Sequence, residues 1–426
     1  SRGGRPQGPT ALMDTRFDLA PPARRIDGLD AAPIDIQHLA ASLVFDAARR
    51  CCAVEATIDF VVAPAGGCPI FDLRQTIEAA WLDDTPIDPA LLAHHDFGPG
   101  DVNGDGDARL RVLAQRLDGG GRHTLRIAYT LGLPDAPSPA WARPAYAWDG
   151  PRLTFRIACS DLTPARYLES WLPANLPFDA FSAAIDIRIT GTDVPHLVIT
   201  NAALHEVGPH HFRLRTPARF TTLSLLLQVR PADSVERRAF KGRLPDGRTI
   251  EIACFKPVGS RVDLDAAGPR TARFLAREAQ RIGSYLHGNR FTVVFEGKSG
   301  GMEYAGACTT APGSLAHEIH HSWWGRGVLP ASQDDGWIDE AWTTHEVKRS
   351  PPVPLQFRAR PVVLCARDPW VRATPMDSYE EGRTLFQGLA AIVGSRALRE
   401  RMRAAWEAFR DRPITTLALE SHLVAG

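Results

Sequence analysis

The segment 317–340, HEIHHSWWGRGVLPASQDDGWIDE, constrains this chain more than any other part of it. His317 and His321 lie four residues apart, so on an α-helix their imidazoles share one face, one turn from each other. Two neutral imidazoles at that separation can hold a single divalent ion. Glu318 stands between them, one step round the helix, where its carboxylate reaches water on the metal without being a ligand itself. A catalytic zinc site takes three protein ligands and leaves its fourth position for water. Glu340, eighteen intervening residues after His321, is the candidate third ligand.

With these residues in place, HEIHHSWWG followed by WIDEAW resembles the HExxH, eighteen residues, Glu signature of the aminopeptidase N family of zinc metallopeptidases, the gluzincins. In that family WxxE introduces the helix of the third ligand. GGMEY, residues 300–304, resembles the family's GxMEN, whose glutamate binds the free amino group of the substrate. The resemblance therefore makes Gly301, Met302 and Glu303 substrate-binding residues. SYEEG resembles the YxKG region, whose tyrosine hydroxyl steadies the oxyanion; that residue here is Tyr379. SDLTPARYLESWLPANLPF resembles the QxEPxxAR segment and puts Asp161 where a second amine-binding carboxylate sits. Thr344, one turn beyond Glu340, is placed to hydrogen-bond a ligand imidazole. The resemblance implies an aminopeptidase with one Zn2+ per chain, Glu318 as general base and a peptide or small amide with a free N-terminus as substrate.

The departures bear on substrate choice and leave the metal ligands intact. Tyr304 replaces the usual Asn, Ala341 the usual Gly after the ligand glutamate, and Glu381 the usual Lys beyond the tyrosine. The gaps are short, with Glu303 fourteen residues before His317 and Tyr379 thirty-nine after Glu340. The family's C-terminal helical domain has no counterpart, so either the cleft is open or another subunit covers it.

The chain around this segment reads as α+β: an N-terminal β-sandwich or saddle over 15–232, then a thermolysin-like α/β catalytic domain over 233–426. The first half alternates apolar and polar residues with period two, interrupted by Pro and Gly. In AAIDIRITG, Ile185, Ile187 and Ile189 are expected to face a core while Asp186 and Arg188 face water. RFTTLSLLLQVR near 219 reads as a more continuous strand, and the polar stretch 231–248 as the domain junction. A helix is expected from about 270 to 286, with Leu275, Ala279, Ile282 and Leu286 on its core face. Pro312 and Ser314 mark the start of the metal helix, and Asp334 and Asp335 are expected to cap the helix of Glu340. Trp323 and Trp324 are read as packing residues.

Charge balances at 49 basic and 49 acidic side chains, which gives no electrostatic case for nucleic acid or an anionic membrane. No apolar run approaches the length of a membrane span. Seven cysteines form neither a CxxC pair nor a regular framework, so a cytoplasmic chain with reduced thiols is expected. Residues 1–14 read as a disordered tail or an expression remnant. Asp101, Asn103, Asp105 and Asp107 match the opening of a calcium loop, but Val112 stands where its bidentate carboxylate belongs, so the stretch reads as a Gly-rich turn.

Three other functions stay open. GKSGG fits the letters of a nucleophile elbow with Ser299 as nucleophile, although it precedes a strand where an elbow opens a helix. A zinc-retaining binding protein without turnover is the second. The third is a tailoring peptidase or amidase dedicated to one substrate.

Overall fold

The computed structural model describes residues 17–98, 108–136, 142–157, 159–354 and 362–425. Residues 1–14 and the stretch holding Asp101, Asn103, Asp105 and Asp107 lie outside that set. The fold is mixed, mostly strands with few helices.

Alternation in the first half produces strands with one wet and one dry face. The strand Ser182–Thr190 buries Ala183, Ile185, Ile187 and Ile189, while Asp186 on the other face meets His211 and Arg213. It pairs in parallel with Ile34–Asp46, which pairs antiparallel with Cys51–Val62 at the centre of an eight-stranded sheet. A four-stranded sheet packs onto it, and Phe45, Phe155 and Trp171 interlock edge to face between the two. A five-stranded sheet closes this half. The stretch after Arg219 is not one strand: Thr221 and Ser224 bond each other across a turn, and only Leu227–Pro231 is extended. Hydroxyl side chains that bond nearby backbone compete with the sheet ladder, which explains the break.

The second half is built on a sheet in the spatial order Val235–Arg243, Thr249–Pro257, Arg290–Phe295, Ala307–Thr310, Gly301–Tyr304. The polar stretch expected to be a junction is thus in part its outer strand, paired along its whole length with Thr249–Pro257. An edge strand tolerates charges because one edge and one face stay in water. Helix α1, Leu264–Arg281, begins earlier than the apolar spacing suggests, because the Asp263 carboxylate accepts from the Asp265 and Ala266 amides. Leu286 falls beyond its end. GGMEYAGACTT folds as a hairpin whose first arm, Gly301–Tyr304, is the free edge of the sheet.

Helix α2, Leu315–His320, is followed at once by turns, with His321 still helical at its C-terminal cap. Helix α3, Trp337–Val347, is preceded by a short turn of 3-10 helix. Asp334 and Asp335 do not cap α3. Asp334 instead accepts from the Ala366 and Asp368 amides, and Asp335 from the amide and hydroxyl of Thr416. Both carboxylates are buried and serve to tie the loop before α3 to later chain. Helices α4 (Glu380–Val393), α5 (Ser395–Phe409) and α6 (Thr416–Ala425) complete the half. Trp323 and Trp324 are fully buried in its core with Phe386, Met402 and Trp406. No helix among the described residues is long and apolar enough to cross a membrane.

Candidate metal centre

The i, i+4 spacing survives the shortness of α2. The His321 amide reaches the His317 carbonyl, and the two rings stand 4.6 Å apart at 82°. Helix α3 delivers Glu340 to them: its Oε2 lies 3.2 Å from His317 Nε2 and 3.6 Å from His321 Nε2. Ligands on a tetrahedral zinc stand about 3.3–3.4 Å apart, so these separations fit. Two of the three atoms, His321 Nε2 and Glu340 Oε2, are buried with no hydrogen-bond partner among the described residues. Buried polar atoms without partners are costly, and a shared cation would satisfy both. The donor set of two imidazoles and one carboxylate is of the kind that holds catalytic zinc.

The residues behind the ligands were not all found in the sequence. His321 Nδ1 is 2.6 Å from Asp339 Oδ1, which fixes the proton on Nδ1 and leaves Nε2 free to ligate. Thr343, one turn along α3, stands 3.4 Å from the same Asp339 oxygen. Thr344, the residue expected there, has a buried hydroxyl that makes no hydrogen bond among the described residues. The error lay in counting the helical turn from Glu340, whereas the carboxylate on the imidazole is Asp339. A signal was present in WIDE, since a ligand histidine nearly always donates its second N–H to an acceptor such as a carboxylate.

Glu318 is buried beside Gly301 on the sheet edge. A Cβ on Gly301 would stand 2.6 Å from the Glu318 carboxyl, so the strand approaches the glutamate this closely only through a glycine. Burial pushes the Glu318 carboxyl well above its usual range, and His321 offsets part of that rise. Burial alone would raise Glu340 too, but His321, His317 and the Tyr379 hydroxyl together hold it down at about 2. Tyr379, just before α4, donates its hydroxyl to Glu340 Oε1 at 2.6 Å. A close approach of helices brings it there, since a Cβ on Gly382 would stand 2.5 Å from the Cβ of Ala341 on α3.

Strand alternation sends Glu303 into the site and Met302 and Tyr304 the other way. Met302 packs in an apolar cluster with Tyr167, Phe255 and Tyr304, so its side chain is placed for packing and not for the cleft. Asp161, Glu303 and Glu340 each offer an oxygen within 4.8 Å of the others. Asp161 accepts the Tyr167 hydroxyl, and its backbone carbonyl accepts from Thr374 at 2.8 Å. Arg326, which the sequence reading passed over, sits among these carboxylates with its Nη2 2.7 Å from Glu303 Oε1. Ser299 lies exposed in a bend before the edge strand and opens no helix.

No family model matches the sequence, and no curated protein matches it either. Solved structures do. An M1 zinc metallopeptidase from Deinococcus radiodurans superposes with a TM-score of 0.65 at 18% identity, covering 95% of this chain and 91% of its own. Yeast LTA4 hydrolase, solved with bestatin, gives 0.63 at 14% identity over 92% of this chain and 64% of its own. Legionella pneumophila aminopeptidase A, solved with aspartic acid, gives 0.63 at 12% identity over 92% of this chain and 48% of its own. The chain has the fold these proteins share.

Proposed function

We propose that this chain is a zinc-dependent aminopeptidase that hydrolyses the first peptide bond of its substrate. The convergence of His317, His321 and Glu340, with orphaned acceptors turned toward one point, carries the reading. Zinc bound there would polarise the scissile carbonyl and bring the pKa of water to about 7. Glu318 takes the proton of the attacking water and returns it to the leaving amine; a carboxyl raised by burial suits a base that must hold the proton between the two steps. Burial and Glu340 keep the Tyr379 phenol protonated, so it can turn its O–H from Glu340 to the developing oxyanion. Glu303 and Asp161, beside Glu340, lie where the acyl end of the substrate would be received, with the Arg326 guanidinium between them. The Deinococcus enzyme has been solved with a Tyr-Ser-Ala substrate, in keeping with a short peptide here.

The two largest apolar clusters among the described residues, one drawn almost wholly from residues 32–229 and the other from 244–419, support an N-terminal β domain over 15–232 and a thermolysin-like catalytic domain over 233–426. The seven cysteines are unpaired, which supports a reducing, cytoplasmic setting. A dedicated amidase or tailoring peptidase is the second reading, favoured by the guanidinium of Arg326 on Glu303.

The test is hydrolysis of aminoacyl anilides by the zinc-loaded chain. Turnover should vanish with a chelator, return with zinc and ignore a serine-directed phosphonate. Glu318→Gln should keep zinc and lose at least about a thousandfold in kcat. Zinc binding without turnover on any amide would leave only the binding-protein reading, and inhibition by the phosphonate would point to Ser299.

A further inference from the structure

Arg326 is a buried cation held in one geometry. Its side chain is 1% exposed, its amide donates to the His321 carbonyl at 3.0 Å, and its Nη1 donates to the Gly325 carbonyl at 2.9 Å. Nη2 bonds Glu303 at 2.7 Å and lies 3.9 Å from Asp161, while Nε has no partner among the described residues. A guanidinium does not give up its charge in a protein, so it cannot step aside by deprotonation. A substrate ammonium approaching Glu303 must therefore share a carboxylate already paired in a dry site. Arg326, bonded to Glu303 and 3.9 Å from Asp161, stands where that ammonium would have to sit. An acyl end without an ammonium needs no counter-charge.

We infer that Arg326 determines the substrate class of this site, on the hydrolase reading given above. By holding Glu303 it removes much of the selection for a free amine, so the chain also cleaves amides whose acyl end is capped or uncharged. The reaction adds water across the C–N bond, leaving a carboxylate and a free amine. Capped and free substrates should then differ by less than about tenfold in kcat/KM.

The experiment compares leucyl and N-acetyl-leucyl p-nitroanilide as substrates of the zinc-loaded full chain, and L-leucine with N-acetyl-L-leucine as ligands in calorimetry. In the wild type both ratios should lie within about tenfold. Arg326→Gln should raise the preference for the free amine at least about tenfold, mainly through KM. A purely structural role for Arg326 would lower both substrates together and leave the ratio where it was. If neither anilide is turned over while the calorimetric ratio shifts as stated, the hydrolase reading falls and the role of Arg326 stands. A wild-type preference for the free amine above tenfold, a ratio unmoved in Arg326→Gln, or no binding of either ligand overturns the inference. Should Arg326→Gln fail to fold, the wild-type ratios decide the matter alone.

Discussion

His321 meets two carboxylates from adjacent residues of α3, Asp339 at its Nδ1 and Glu340 at its Nε2. One orients the ring, and the other is placed to share a cation with it. Removing the charge of the orienting group should cost metal affinity without removing a ligand, so Asp339→Asn is expected to weaken zinc binding about 10–100-fold. Thr344→Ala should leave it within about threefold, because that hydroxyl hydrogen-bonds neither imidazole. Competition with a chelator reads both, and equal effects would contradict the assignment. The ligands were legible because HExxH is a local spacing that helical geometry turns into a face. Asp339 and Arg326 were not, since their roles depend on which distant carboxylates and rings fold against them.

At the level of elements, the site is where short pieces meet under tight contact. Gly382 lets α4 lie against Ala341 of α3, and this contact sets Tyr379 over Glu340. Gly382→Ala should push the helices apart, cost about 1–3 kcal/mol by overpacking and lower kcat more than it raises KM. Denaturant unfolding and steady-state kinetics check this, and an unchanged kcat would mean that Tyr379 does not depend on the contact. Strands of the first half were readable from period two. The polar run before Thr249 was not, because an edge strand that leaves its side chains in water looks like a linker in sequence. Nor was the start of α1, which a single capping aspartate sets ahead of the apolar stripe.

Across the whole molecule, the chain leading to Tyr379 runs along both halves. Trp370 packs on Phe97, Arg372 pairs with Asp72 at 2.7 Å, and Thr374 bonds the Asp161 carbonyl, so the first half helps to position the site. No periodicity announces such a segment, and it could not be read from composition. Stability should also depend on pH in a stated direction. Burial lowers the His287 imidazole to about 3 and the His94 imidazole to about 4. Their folded values lie below the unfolded one near 6.5, so their contribution is intact above that pH. It falls as pH drops from about 6.5 toward 4, by about 1.4 kcal/mol per unit for each group, because the unfolded chain binds protons that the native chain refuses. Urea midpoints between pH 7.5 and 5 should fall in the wild type and fall less in His287→Gln; an equal or steeper fall in the variant would contradict this. The measurement closest to the heart of the account is the zinc stoichiometry and affinity of the full chain beside those of His317→Ala, His321→Ala and Glu340→Ala. One ion per wild-type chain, with affinity lowered at least about a hundredfold in every variant, is the expected result. Undiminished zinc affinity in Glu340→Ala would contradict it.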